Sequence, residues 1–334
     1  MIREMVKKVA FISSYPPRKC GIATFTSDLI HNVNLAAKGQ FEPVVIAMQP
    51  GTELECDTPV ELRIRKDVKY DYITAADLIN SCDVDVISVQ HEFGLFGGEA
   101  GSYIGLLLER LNKPVITTLH TVLEKASSEY FESLNNVCET SSKVIVMNNR
   151  GVDMLRSLYG VPESKIRLIP HGIPDLPYAQ NGYYKRKLGM AGRKTILTFG
   201  LLSRNKGIEV MLKALPTIVK AAPSVLYIVL GATHPEVLRR EGQAYKLRLE
   251  RMVRDLELQA NVVFHNRFVS DEELFTFLGA ADVYVTPYLN KEQLTSGTLA
   301  FAVGVGKAVV STPYWAAQEL LAQGRGKLVP FGDF

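Results

Sequence analysis

The sequence predicts an α/β protein of two doubly wound, Rossmann-like domains in tandem. Three observations carry this. Short β-branched runs alternate with longer helical stretches, the pattern of crossover units that build a parallel sheet. That rhythm breaks over residues 170–192 and restarts beyond them. The chain has 334 residues, more than the roughly 250–300 at which one hydrophobic core stops growing, so two cores with a cleft between them are expected.

In the first half the strand candidates are residues 7–14, 42–48, 60–65, 85–90, 114–120, 143–148 and 167–170. Several are apolar on both faces, as strands covered by helices on both sides must be. Helices are suggested between them at 21–33, 71–80, 102–111 and 151–160. The last closes on Gly160 with Pro162 just beyond, a normal helix stop. Residues 170–192 are rich in Pro, Gly and polar side chains and read as an inter-domain linker. The domains are therefore expected at 1–175 and 176–334. In the second half the strands are expected at 195–200, 225–231, 261–265, 282–287, 307–312 and 327–330, again with helices between.

With 47% hydrophobic and 22% charged residues, the chain has the balance of an ordinary soluble globular protein, which excludes disordered, collagen-like and coiled-coil classes. Its 38 basic and 35 acidic side chains leave +3, too little for a general nucleic-acid or membrane-surface binder. The charge is uneven. Residues 1–175 hold 18 basic and 22 acidic side chains, or −4, and the remainder holds 20 and 13, or +7. The second domain is the expected anion binder, although much of its excess falls on a helix around Arg239, Arg240, Lys246, Arg248, Arg251 and Arg254, where a solvated face is the alternative.

Four cysteines, Cys20, Cys56, Cys82 and Cys138, form no CxxC pair and lack companion histidines at ligand spacing. They read as reduced thiols in a cytoplasmic protein. The start of the chain has too short an apolar run for a signal peptide. No stretch approaches the ~20 apolar residues of a membrane span, which leaves only peripheral membrane attachment open.

In a parallel sheet the ligand lies beyond the carboxyl ends of the strands, so the residues that follow each strand are the candidates. After the first strand Gly21 opens a helix, where a phosphate could approach free backbone N–H groups; a plain tight turn is the alternative. After 195–200, Arg204 and Lys206 precede a helix that starts near Gly207. Two cations and a helix N-terminus aimed at one point make a pyrophosphate site, with a solvated turn as the alternative. After 282–287, Ser296, Gly297 and Thr298 enter another helix and form a second anion-binding turn. His120 ends an apolar strand, which favours function over a histidine satisfied by backbone. His91 and Glu92 also follow a strand, as contacts to an acceptor or sugar or as loop scaffolding. His171, before Gly172, reads as shaping the turn between domains.

Together these features resemble the retaining family 4 glycosyltransferases, nucleotide-sugar enzymes of the GT-B architecture, and within them the mannosyltransferase-like branch. The resemblance covers nearly the whole chain. It rests on the order and spacing of PRKCGIATF, TLH, IPHGI, FGLLSRNKGIE, FHNRFVSDEEL and SGTLAFAVGVGKAVVSTPYWAAQEL, followed by GRGKLVPFGD. It implies two Rossmann-like domains facing across a cleft, a nucleoside diphosphate sugar as donor, GDP-mannose for that branch, and neither metal nor other cofactor. Carried over by position, it gives Arg204 and Lys206 the leaving diphosphate, with backbone contacts from Gly21, Ser296, Gly297 and Thr298. Arg267, Phe268 and Val269 would line the nucleobase, and His120 and Gln293 would meet the donor sugar. The physics agrees: negative charge develops on the phosphate as the glycosidic bond breaks, and fixed cations stabilise it most at that moment.

The sequence departs from the family in one place. Two glutamates separated by seven residues usually hold the donor sugar and the ribose; the matching positions here are Gln293 and Phe301. Shifting to Glu292 puts Ala300 at the second position, so neither register restores the pair. An amide still bonds sugar hydroxyls, whereas a phenyl ring cannot hold a diol. Family members also continue past GRGKLVPFGD, so the chain is expected to be naturally short or a fragment.

Other signals are set aside. Asp83-Val84-Asp85 leads into a buried strand and reads as a cap, HEFG is not HExxH, and no strand is followed by GxGxxG. Gly306-Lys307-Ala308 lacks the hydroxyl residue of a P-loop, and Trp315 reads as packing. The resulting expectation is a hexosyltransferase that acts with retention on a glycan or lipid-linked acceptor, without nucleic acid. A non-catalytic sugar-nucleotide binding module is one alternative, and a phosphorylase or sugar-nucleotide epimerase on the same fold is another.

Overall fold

The computed structural model describes residues 6–49, 60–176 and 180–333; Cys56 lies outside them. The chain divides into two compact units that meet at Pro170 and His171. The first runs β1 (Lys7–Ser13), α1 (Gly21–Ala36), β2 (Phe41–Gln49), β3 (Val60–Arg65), α2 (Lys69–Ser81), β4 (Val86–His91), α3 (Tyr103–Leu108), β5 (Val115–Leu119), α4 (Ser128–Thr140), β6 (Lys143–Val146), α5 (Asn149–Ser157) and β7 (Ile166–Leu168). The second runs α6 (Asn181–Lys187), β8 (Thr195–Phe199), α7 (Ile208–Ala221), β9 (Leu226–Leu230), α8 (Pro235–Glu241), α9 (Ala244–Asp255), β10 (Val262–His265), α10 (Asp271–Ala280), β11 (Val283–Thr286), α11 (Gly297–Gly304), β12 (Ala308–Ser311), α12 (Trp315–Leu320) and β13 (Lys327–Leu328).

Each unit is built on a parallel sheet, in the orders β3-β2-β1-β4-β5-β6-β7 and β10-β9-β8-β11-β12-β13. Both orders reverse beside the first strand of the unit, between β1 and β4 and between β8 and β11. At such a reversal the loops diverge to opposite faces and leave room for a ligand at the carboxyl edge.

The strand sequences explain why helices cover both faces. In β9, LYIVL, all five residues are buried. Leu226, Ile228 and Leu230 enter one core with Phe277, Leu278 and Leu299. Tyr227 and Val229 enter the other with Ile208, Leu212 and Leu249. Alternate side chains of a strand point to opposite faces, so an unbroken apolar run needs a cover on each side. Each fully buried Leu or Ile contributes roughly 1.5–3 kcal/mol. In the first unit Phe11 of β1 packs in the same way with Ile30 of α1 and with Phe41 and Val45 of β2.

All thirteen expected strands are present, within two residues at each end. The helices differ more. Helix α4 has few apolar anchors: Leu134, Val137 and Cys138 are buried with Ser133, whose hydroxyl donates to the Ala100 carbonyl. The expected linker contains a helix, α6, held by contacts that periodicity does not show. The Lys185 ammonium lies 2.6 Å from Asp282 and donates to the Arg193 carbonyl, and Tyr184 packs on Gly279, where a Cβ would lie 2.3 Å from its ring. The basic helix expected around residues 239–254 is two helices, α8 and α9, parted at Gly242 with φ +58°. The units part at 170 rather than 175, because His171 packs edge-on to Phe301 at 6.1 Å and Ile173 packs on Gly304.

Candidate active site

The carboxyl edge between β8 and β11 gathers the polar residues of the second unit. Beyond β8, residues Arg204–Lys206 form one 3-10 turn that ends on Gly207, φ +60°. Glycine is required there. The left-handed backbone disfavours a side chain, and a Cβ would lie 1.9 Å from the Pro287 carbonyl oxygen. That close approach seats the β8 loop against the β11 loop, where the Leu289 N–H also donates to the Asn205 carbonyl at 3.0 Å.

Lys206 turns towards α11. Its Nζ donates to the Tyr288 hydroxyl at 2.7 Å and lies 4.0 Å from the centre of the same ring. The Tyr288 and Thr298 hydroxyl oxygens are 2.9 Å apart, and the Thr298 hydroxyl is 3.3 Å from that of Ser296. Ser296 caps α11 by accepting from the Leu299 N–H. The remaining first-turn amides have no partner within the helix and carry the positive end of its dipole. His171 also belongs here: a Cβ on Gly297 would lie 2.9 Å from its Nε2. Its Nδ1 is 2.7 Å from the Gly172 carbonyl oxygen, which only accepts, so Nδ1 carries the proton. Burial holds this imidazole below its ordinary pKa.

Arg204 takes a different partner. Its guanidinium donates to Glu241, at the end of α8, at 2.7 Å and lies 5.6 Å from the centre of the Tyr245 ring. The hydrogen bond from Arg204 holds the Glu241 carboxyl below its usual pKa. The two cations expected to converge on one point therefore engage separate acceptors, a carboxylate for the guanidinium and a phenol for the ammonium. Any anion that reached Arg204 would have to compete with Glu241 for the guanidinium.

The other expected donor residues lie as follows. Arg267 is held by both carboxylate oxygens of Glu273, Phe268 is 44% exposed, and Val269 packs at the margin of the core. The Gln293 side chain donates to the Thr295 carbonyl at 3.0 Å, and Glu292 is exposed. Phe301 packs on Phe275 and His171, so a phenyl ring fills the position where the resemblance expects a carboxylate.

In the first unit Gly21 is the exposed first residue of α1, and nothing stands within 4 Å of where its Cβ would be. The Cys20 Sγ caps this helix by accepting from the Ala23 N–H. Nearby strands β4 and β5 bring Gln90, Glu92, His120 and Thr121 together. The His120 Nε2 is 3.0 Å from the Gln90 Oε1, and its ring meets Phe25 of α1 edge-on at 4.9 Å. Glu92 accepts from the Thr121 hydroxyl at 2.7 Å and from the Phe93 N–H at 3.1 Å; burial raises its pKa against those bonds. His91 is 0% exposed, stacks on Phe96, and has no hydrogen-bond partner at either nitrogen. Burial pushes its pKa down to about 4. Of the two open readings for this pair, His91 takes the scaffolding one.

Sequence reasoning finds neither Tyr288 nor Gln90. A tyrosine after an apolar strand reads as more of the strand, and a glutamine inside one offers no signal at all. The rule that polar residues following strands are candidates applies to Tyr288 once its hydroxyl, rather than its ring, is counted.

Comparison with known proteins agrees with the fold. Residues 21–175 match the model for Glycosyltransferase Family 4, and residues 193–334 match that for Glycosyl transferases group 1. The phosphatidyl-myo-inositol mannosyltransferase of Mycolicibacterium smegmatis is 26% identical over 262 residues, 75% of this chain and 59% of that protein. The alpha-monoglucosyldiacylglycerol synthase of Streptococcus pneumoniae is 25% identical over 258 residues, 69% of this chain and 54% of that protein. The chain thus spans little more than half the length of these curated relatives. The crystal structure of Anabaena HepE in complex with UDP and glucose has a TM-score of 0.72 at 18% identity, covering 98% of this chain and 86% of that one. The fold is GT-B, and the chain belongs to the glycosyltransferases built on it. Its first half is a family 4 domain and its second a group 1 domain.

Proposed function

We propose that the protein transfers a hexose from a nucleoside diphosphate sugar to a glycan or lipid-linked acceptor, with retention at the anomeric carbon. One observation carries this reading: Lys206 stands with Thr298 and Ser296 at the N-terminus of α11, on the carboxyl edge where the second sheet reverses. A leaving diphosphate gains negative charge in the transition state, and fixed donors there lower the barrier. Lys206, the α11 amides and Arg204, once released from Glu241, supply them. In this reading no metal ion or other cofactor is required. The acceptor belongs to the first unit, where Glu92, Gln90 and His120 line the edge of the sheet.

Both curated relatives carry a lipid in their names, which supports a lipid-linked acceptor. We assign GDP-mannose as the donor on the mannosyltransferase among them. No helix of the described residues is long and apolar enough to cross a membrane. The thiols of Cys20, Cys82 and Cys138 are free, which supports a reducing, cytoplasmic setting.

Thermal unfolding with GDP, UDP, ADP and their sugars tests the assignment, since a ligand held only by the folded state raises Tm by mass action. GDP and GDP-mannose should raise Tm most. Lys206→Ala and Arg204→Ala should each weaken the response at least ten-fold in ligand concentration; an unchanged response removes the diphosphate assignment. A second reading is favoured by Phe301, whose packing leaves the ribose without its usual carboxylate. A protein that only binds the donor would show the Tm response without releasing nucleotide from it.

A further inference from the structure

We infer that Tyr288 is a positioning residue of the diphosphate site, fixing the Lys206 ammonium and the Thr298 hydroxyl relative to one another. The inference rests on the reading of Lys206 given above. A lysine carries a compact charge on a flexible stem, and holding it in one place costs side-chain entropy. Tyr288 supplies that restraint from a rigid base. It is 0% exposed, its ring stacks on Tyr314 at 5.1 Å, and its carbonyl oxygen accepts from the Thr312 hydroxyl at 2.6 Å.

The chemistry of the group matters as much as its place. A carboxylate at this position would neutralise the ammonium and compete with a phosphate for it. A phenol oxygen accepts one of the three N–H bonds of Lys206 and leaves the charge intact, while the ring face attracts the cation. With its oxygen occupied by Lys206, the Tyr288 O–H can donate to Thr298 at 2.9 Å. The Thr298 hydrogen is then directed onward, to Ser296 or to an anion at the helix end. One hydroxyl thus sets both a cation and a neutral donor. Arg204, paired with Glu241, has no comparable anchor facing α11.

Calorimetric titration of the full chain with GDP and UDP tests this, using Tyr288→Phe, Lys206→Ala and the double variant. Phenylalanine keeps the ring and its stacking and removes only the hydroxyl. Tyr288→Phe should weaken nucleotide binding about ten-fold, with Tm lowered by no more than a few degrees. The double variant should lose clearly less than the sum of the two single losses, because most of the Tyr288 effect runs through Lys206 and only its hold on Thr298 remains to be lost. A purely structural loss would instead add to the lysine effect in the double variant, and that additivity overturns the inference. Unchanged binding in Tyr288→Phe with weakened binding in Lys206→Ala also overturns it and leaves the functional reading standing. Unchanged binding in Lys206→Ala defeats both.

Discussion

His91 ties the stability of the first unit to pH. Its imidazole has a pKa of about 4 in the fold, against an ordinary value of 6.5. Between those values the unfolded chain binds a proton that the folded chain does not, so acidification favours unfolding. From pH 7.5 to 5.0 this histidine should remove about 2 kcal/mol of stability. Glu92 acts in the opposite direction, since its pKa is raised in the fold and acidification stabilises through it. Urea unfolding of the wild type and of His91→Leu at both pH values isolates the histidine: the variant should lose about 2 kcal/mol less on acidification, and equal losses would refute the assignment. At this scale the sequence reveals which residues stand after strands, and so it points to Lys206, Ser296 and Thr298. It does not reveal partners. Glu241, which holds Arg204, is 37 positions away, and nothing local to either residue announces the pair.

At the level of elements, the loops matter more than the strands they follow. Gly207 and Gly306 both have left-handed backbones, φ +60° and +71°, so alanine costs roughly 1–2 kcal/mol at either. They differ in surroundings: the Pro287 oxygen stands 1.9 Å from a Cβ on Gly207, and nothing lies within 4 Å at Gly306. Gly207→Ala should lower Tm more than Gly306→Ala, and it alone should weaken binding of GDP or UDP, because the loop that must shift carries Lys206. Equal effects on titration would show that the contact between the β8 and β11 loops does not set the site. The strands were legible for the reason that makes β9 feed two cores: an apolar run buried on both sides stands out from any background. Helix α6 was not, because what holds it, Asp282 for Lys185 and Gly279 for Tyr184, lies some hundred residues later in the chain.

On the scale of the whole molecule, the two sheets repeat one plan, each reversing beside its first strand, and the sequence divides its charge unequally between them. The second family match begins at residue 193, whereas the second unit begins at His171, and α6 lies between these points. Burial works to raise the Asp282 carboxyl, but the Lys185 ammonium and the Thr195 N–H outweigh it and hold the group below its usual pKa. Removing one member of such a pair leaves a charge partly buried without compensation. A fragment of residues 171–334 should therefore melt at a higher temperature than one of 193–334, measured by calorimetry at neutral pH. Equal melting would show that α6 is only appended to the unit.

The docking of α6 has a consequence for shuffling. If second halves are exchanged between proteins of this fold, the natural seam is the stretch before Asn181, not the point where the matched segment starts. A splice placed later would import Asp282 without Lys185, and the hybrid would carry its defect at the base of β8 and β11, the two strands whose far ends present the loops around Lys206.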